Sequence, residues 1–253
     1  MDRSVPRRRS RHWRWRPWAL LLAAVGGLTV IGLMPVETKQ GIDYSVSTYT
    51  MPLYVKALDF VQRDSSYSRL VQRLVSEQAS DESRALTIFD WTRNNIRDTP
   101  AGFPIVDDHV WHIIIRGYGT DDQKTDVFTT LTTYAGVPGF WSLTEPPSPE
   151  LSLSFVWIEG RWRVFDVQNG IVFRNRAGAL ASAEELAEDR WVLESVAADR
   201  TFHEKPYAGY FVGFKPPNPP DILRAELQML WPRASHRLKG FVGLGRREWQ
   251  DGR

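Results

Sequence analysis

The chain has 253 residues, of which 42% are apolar and 25% charged, the balance of a globular protein. It contains no Cys, which excludes disulfides, thiolate metal sites and thiol catalysis together. Its net charge of +2 is uneven: the first sixteen residues hold seven arginines against Asp2, and the remainder sums to −4.

A basic tip of this kind (residues 1–17) reads as a disordered tail or a nucleic-acid arm until the next segment is considered. Residues 18–34 carry no charge and Pro35 follows. Seventeen apolar residues are at the short end for a membrane span, where roughly 20 is usual. A buried core helix is seldom apolar on every face. The arginines belong on the cytoplasmic side, which sends the rest of the chain outward. Trp13, Trp15 and Trp18 fit an interfacial aromatic belt. A cleaved signal peptide competes, but Leu33-Met34-Pro35-Val36-Glu37 offers no small-residue cleavage site. Ser10-Arg11-His12-Trp13 matches a twin-arginine signal poorly. Residues 18–36 are therefore expected to be an uncleaved signal-anchor with the membrane as partner, placing the C-terminal part in the periplasm or its equivalent. Nucleic acid is not expected.

Residues 37–79 read as a linker or short strand followed by a helical segment, with Leu58, Val61, Leu70 and Leu74 at helical spacing. In 81–95 the spacing of Ala85, Ile88, Phe89 and Thr92, with Ser80 to Ser83 as caps, predicts a second helix. Residues 99–108 form a loop containing Pro100, Gly102 and Pro104. Thr120 followed by Gln123 is a capping box, so a helix starts with Asp121 at its first position. Val127, Phe128, Leu131 and Tyr134 or Ala135 give it an apolar face, and Gly136-Val137-Pro138 ends it.

Residues 151–158 and 161–167 are strand-like and joined by Glu159-Gly160, a two-residue hairpin turn. That turn pairs Ile158 with Arg161, Trp157 with Trp162, Phe155 with Val164 and Leu153 with Asp166. Leu151 then lies diagonally from Asp166 on the same face, at roughly 7–8 Å. A short helix is expected at 182–187, and Lys215 to Pro220 form a stiff break. A last helix over 221–230, capped by Asp221 and stopped by Pro232, presents Leu223, Leu227 and Leu230. These pack on the domain or, given the basic aromatic tail behind them, on a membrane surface; core packing is the expectation.

Three blocks resemble the transglutaminase-like (papain-related) domains: the helix from Arg84 to Ile96, the stretch from Arg116 to Lys124 continuing to Pro138, and the hairpin from Phe155 to Asp166. Together they cover about ninety residues, from near Asp81 to near Gly170. The resemblance implies an α+β fold, helix plus antiparallel sheet, with its core at 80–175 and a helical extension at 176–253. It also implies a Cys at the helix start, a His on the first hairpin strand and an Asp on the second. Those family-site positions fall on Asp121, Leu151 and Asp166, so only the Asp is retained.

The resemblance and the anchor together lead to the expectation of a pseudoenzyme tethered to the cell inner membrane that binds a peptide, glycan or protein partner of the envelope, without cofactor or metal and without catalytic residues. The alternative is a hydrolase or transferase using Asp121 and Asp166, with Asp122 and His109 or His112 nearby. A structural spacer in an envelope assembly is a third reading. A carboxylate at a helix start is stabilised by the dipole whatever its function, by roughly 0.3–1 kcal/mol. Asp107, Asp108, His109 and His112 form an upstream loop cluster better read as structural or exposed than as ligands. Gly117-Tyr118-Gly119 lacks the Lys and Ser/Thr of a phosphate loop, and Asp121 and Asp122 would repel phosphate.

Overall fold

A computed structural model describes residues 16–242 apart from Asp108 and Pro147. The basic residues before Arg16, the belt residues Trp13 and Trp15, and the tail residues Arg246, Arg247 and Trp249 lie outside the described residues. The chain divides into two units, residues 1–39 with 47–59 and residues 40–46 with 60–253.

In the first unit, helix α1 (Arg16–Leu33) is followed by strand β1 (Pro35–Ile42), most of strand β2 (Ser45–Pro52) and the start of helix α2 (Leu53–Val75). From Trp18 to Ile31 every residue of α1 is exposed, Leu20 and Leu22 to about seven-tenths. The helix stops short of the expected limit at residue 36, because Pro35 and Val36 already belong to β1. Its eighteen residues reach about 27 Å, below the ~30 Å hydrocarbon core. Among the described residues, no helix is long and apolar enough to cross a membrane. The polar stretch after α1, expected as a linker or short strand, forms two eight-residue strands.

The second unit is a mixed α/β body. Helix α3 (Asp81–Asn95) begins at Ser80, whose Oγ accepts from the Ser83 N–H at 3.1 Å, and buries Ala85, Ile88, Phe89 and Thr92 as its spacing predicts. Strand β3 (Arg97–Asp98) precedes the expected loop 99–108, strand β4 (Val106–Asp107) forms within it, and helix α4 (Val110–Arg116) and strand β5 (Tyr118–Gly119) follow. Residues 98 and 119 pair in the parallel β3–β5 bridge. Helix α5 (Asp121–Tyr134) starts and ends where the sequence places it, with Gly136 in the left-handed region at φ 84°.

Strands β6 (Gly139–Leu143), β7 (Ser152–Ile158), β8 (Arg161–Asp166) and β9 (Ile171–Val172) form an antiparallel sheet in that order. The β7–β8 register pairs Ile158 with Arg161, Trp157 with Trp162 and Phe155 with Val164, as expected. Glu159 and Gly160 both have positive φ, the conformation that matches the strand twist.

The sheet is buried on both faces. Val156, Ile158 and Phe165 pack with Phe89 of α3 and Phe128 of α5. Leu151, Leu153, Phe155, Trp162 and Val164 face the chain after residue 175: helix α6 (Ala183–Glu188), helix α7 (Arg190–Ala197), the hairpin of β10 (Thr201–Phe202) and β11 (Lys205–Pro206), and a 3-10 turn, Tyr207–Phe211. This two-sided burial explains why β7 reads as nearly continuous apolar sequence rather than alternating.

The C-terminus departs from expectation. Residues 221–230 hold only a 3-10 turn, Glu226–Gln228, and helix α8 spans Leu230–Val242. Pro232 does not stop a helix there; it lies in the first turn of one, where its missing N–H has no partner to lose. Leu223 is fully buried, whereas Leu227 and Leu230 are exposed, so the three do not form one packed face.

Candidate functional site

The start of α5 is held from two sides. The Thr120 N–H donates to Gln123 Oε1 at 3.2 Å, and Gln123 Nε2 donates to the Val106 carbonyl at 2.8 Å. Arg116 Nη2 donates to the same carbonyl and to Gln123 Oε1, both at 2.9 Å. The Thr120 hydroxyl turns to the Asp122 carboxylate at 2.5 Å. Asp121 therefore sits at a rigid helix N-terminus, about one-third exposed.

Asp166 ends β8 and is wholly buried. Its Oδ1 accepts the Asn169 N–H at 2.9 Å, and its Oδ2 accepts the Asn169 amide at 2.8 Å and the Tyr207 phenol at 2.6 Å. Burial raises its pKa above the ordinary carboxylate value. The Asn169 and Tyr207 bonds oppose that rise, and the nearby Asp121 charge adds to it. Tyr207 is raised in turn, by burial first and by the Asp166 charge next. Leu151 is buried in the same apolar cluster as Tyr207, on the Asp166 face of the sheet. The Leu151 N–H donates to Thr144 Oγ1 at 3.0 Å, so its backbone is fixed while its side chain is core.

Two further groups reach this edge of the molecule. His203 Nε2 lies 3.4 Å from Asp121 Oδ2, carried on the β10–β11 turn. That turn has His203 at φ 45° and Glu204 at φ 63°, with no Gly to relieve the left-handed conformation. Such residues cost of order 1–3 kcal/mol each and persist where the surroundings hold them. Asp98, from β3, accepts from Lys124 Nζ at 2.5 Å and Gln168 Nε2 at 3.0 Å. The Lys124 and Gln168 hydrogen bonds hold its carboxyl below the usual range, and the Lys124 charge adds to them. The result is a polar edge of Asp98, Asp121, Lys124, Gln168 and His203, with the sealed Asp166–Tyr207 pair behind it.

His109 precedes α4 and His112 lies on it, their ring centroids 5.8 Å apart. Asp108 lies outside the described residues. Among the described residues no group of three or more His, Asp or Glu is placed to hold a metal ion. A separate groove of about 170 Å³ runs between the end of β6 and the proline-rich segment, lined by Ser142, Thr144, Glu145, Phe214, Lys215 and Asn218 among others. Asp121, Leu151 and Asp166 do not line it.

Sequence reasoning missed His203, Tyr207, Asn169 and Asp98. Only Asn169 had a local signal: an Asn-Gly pair three residues after Asp166, where a carboxylate can cap a turn. His203 and Tyr207 arrive from about 80 and 40 residues away in sequence, and no spacing announces them.

No family model matches the sequence, and no curated protein matches it. Two solved structures resemble part of the chain. A candidate cysteine protease from Cytophaga hutchinsonii is 15% identical with a TM-score of 0.37, covering 46% of this chain and 40% of that one. A candidate protease from Parabacteroides distasonis is 12% identical with a TM-score of 0.36, covering 52% of this chain and 30% of that one. This chain thus spans less than half the length of either, and likeness at this level carries no functional argument.

Proposed function

We propose that this chain is a tethered, non-catalytic descendant of the transglutaminase-like fold that binds a peptide, glycan or protein partner of the cell envelope. The observation that carries the reading is the state of Asp166. A carboxylate that serves catalysis in such a site must orient an imidazole; the donors that Asp166 meets here are Asn169 and Tyr207 instead. The position expected for that imidazole is Leu151, which is core. The nucleophile position is Asp121, a carboxylate and a far weaker nucleophile toward amides than a thiolate. Loss of one member of such a unit costs orders of magnitude in rate. The exposed polar edge around Asp98, Asp121 and His203 suits a hydrogen-bonding ligand instead.

The tether rests on the arginine-rich tip ahead of the uncharged run and on the exposure of α1. Protease treatment of spheroplasts bearing a C-terminally tagged chain checks it: the tag is cleaved if the body faces outward, and a protected tag excludes that orientation.

The binding reading is tested by titrating envelope peptides and glycan fragments while following backbone amide shifts and product masses together. Saturable shifts around Asp121 and His203 without turnover support it. A second reading, a carboxylate–imidazole hydrolase, is favoured by one observation: the strained turn that brings His203 to Asp121. Turnover abolished by both Asp121→Asn and His203→Ala, in variants that still fold, puts that reading first. The assignment of positions is checked by Asp121→Cys with Leu151→His, which restores the family constellation; absence of any thiol reactivity there counts against it.

A further inference from the structure

Helix α8 carries Leu230, Trp231, Ala234 and Leu238 within an arc of about 100° at 100° per residue. All four are exposed, Trp231 at 79% and Leu238 at 65%. The other side of the helix faces the protein: the Arg233 guanidinium stacks over the Phe60 ring at 5.0 Å, and Pro232 and Ser235 are half-buried. A helix that folds only onto its own domain does the reverse, burying the apolar arc.

Charge identifies what would cover that arc. Helix α8 contains Arg233, Arg237 and Lys239 and no carboxylate, and residues 230–253 hold six cations against two carboxylates, whereas residues 17–229 hold 27 carboxylates against 19 cations. An acidic body ending in a cationic, apolar-faced helix complements an anionic surface into which apolar side chains can enter. Of the partners with that chemistry, a bilayer containing anionic lipid accepts an exposed Trp and two Leu without a preformed pocket. We infer that α8 lies on an anionic lipid surface, with Leu230, Trp231, Ala234 and Leu238 inserted at the headgroup boundary. This deepens the membrane part of the proposed function, yet it concerns a contact separate from α1.

The absence of Cys makes a site-specific test direct. The full chain with Ala234→Cys is labelled with an environment-sensitive fluorophore. It is mixed with phosphatidylcholine vesicles containing or lacking phosphatidylglycerol, with and without nitroxide-labelled lipid. The expected result is a blue shift and nitroxide quenching with the phosphatidylglycerol vesicles. Both should be lost at high salt and in Trp231→Asp. Equal quenching with phosphatidylcholine alone overturns the anionic assignment. A blue shift that grows with protein concentration without vesicles overturns the lipid assignment in favour of a second copy of the chain. If the chain sediments with vesicles through α1 while the label at 234 stays unquenched, this inference fails and the tether stands. Melting of the labelled chain at the wild-type temperature shows that the label leaves the fold intact.

Discussion

The phenol of Tyr207 donates to Asp166 Oδ2 at 2.6 Å inside the protein, tying the segment after residue 175 to the last residue of β8. The bond spans 41 residues of sequence and both partners are buried. It is one of three that compensate the carboxylate for its burial.

Tyr207→Phe removes that donor while keeping the ring that packs against Phe211. Asp166 would keep only the two Asn169 bonds. Leaving a buried acceptor short of a donor costs about 1–3 kcal/mol. For a protein of this size each kcal/mol lowers Tm by about 2–4 °C. Thermal unfolding should therefore show a drop of several degrees. An unchanged Tm would mean that Asp166 is satisfied without Tyr207, and the argument for a structural Asp166 would fail.

Asp126 tests burial against charge. It lies on α5, almost wholly buried, and its pKa is pushed up to about 6. Burial is the largest cause. The Arg224 charge and the Trp141 side chain oppose it, and Asp122 and Asp107 add to it. The Arg224 guanidinium is 3.0 Å away but about half exposed, so solvent screens it. A folded-state pKa above the unfolded value means the folded protein takes up a proton that the unfolded chain does not. This group therefore costs stability above about pH 6, and the cost disappears as pH falls toward the unfolded value. Asp126→Asn should be more stable than wild type at pH 8, by at most about 3 kcal/mol, with the difference shrinking toward pH 4. Chemical denaturation across that range gives the comparison; a difference that grows as pH falls contradicts it.

Gly139 brings β6 close against α5. A Cβ there would stand 2.8 Å from Thr132 Oγ1 and 3.5 Å from the Thr129 Cα. Thr132 is fully buried, so its short side chain has little room to yield. Gly139→Ala should destabilise by about 1–3 kcal/mol, the usual cost of overpacking. Gly136→Ala meets no neighbour but forces Ala to a φ of 84°, and should cost about 1 kcal/mol from backbone strain alone. Equal stability of Gly139→Ala and wild type would place the strand farther from the helix.

What the sequence made legible was local. Ser80, Thr120 with Gln123, and Glu159-Gly160 each fix a structure within four residues, and α3, α5 and the β7–β8 register follow from them. The Asp121, Leu151 and Asp166 positions were what the family resemblance implied, and the hairpin register separately set Leu151 beside Asp166. Leu151 and Asp166 do share a face. The occupants of that site were not legible, because His203 and Tyr207 reach it through tertiary packing. The C-terminal error has a physical cause too: Pro232 carries opposite meanings in the first turn of a helix and in its interior, and the flanking residues do not distinguish them.

Two truncations separate the roles of the C-terminal residues. Residue 223 is fully buried as Leu, and its neighbours contribute the Arg224–Asp126 bridge at 3.0 Å and the buried Ala225. Loss of one buried Leu costs about 2–5 kcal/mol through transfer and cavity terms. Removing Arg224 also leaves Asp126 buried without its nearest opposite charge. Deleting residues 216–253 should therefore lower Tm by roughly 10 °C or more, at about 2–4 °C per kcal/mol. Deleting only 230–253 removes α8, whose Leu230, Trp231, Ala234 and Leu238 are exposed and whose Arg233 stacks over Phe60 and donates to the Leu227 carbonyl at 3.5 Å. A half-buried cation–π contact of this kind is worth about 1 kcal/mol, so Tm should fall by no more than about 4 °C. If the longer deletion leaves Tm unchanged, Leu223 does not belong to the core. If the shorter deletion costs as much as the longer, α8 packs on the domain, and its apolar arc is not available to any external surface.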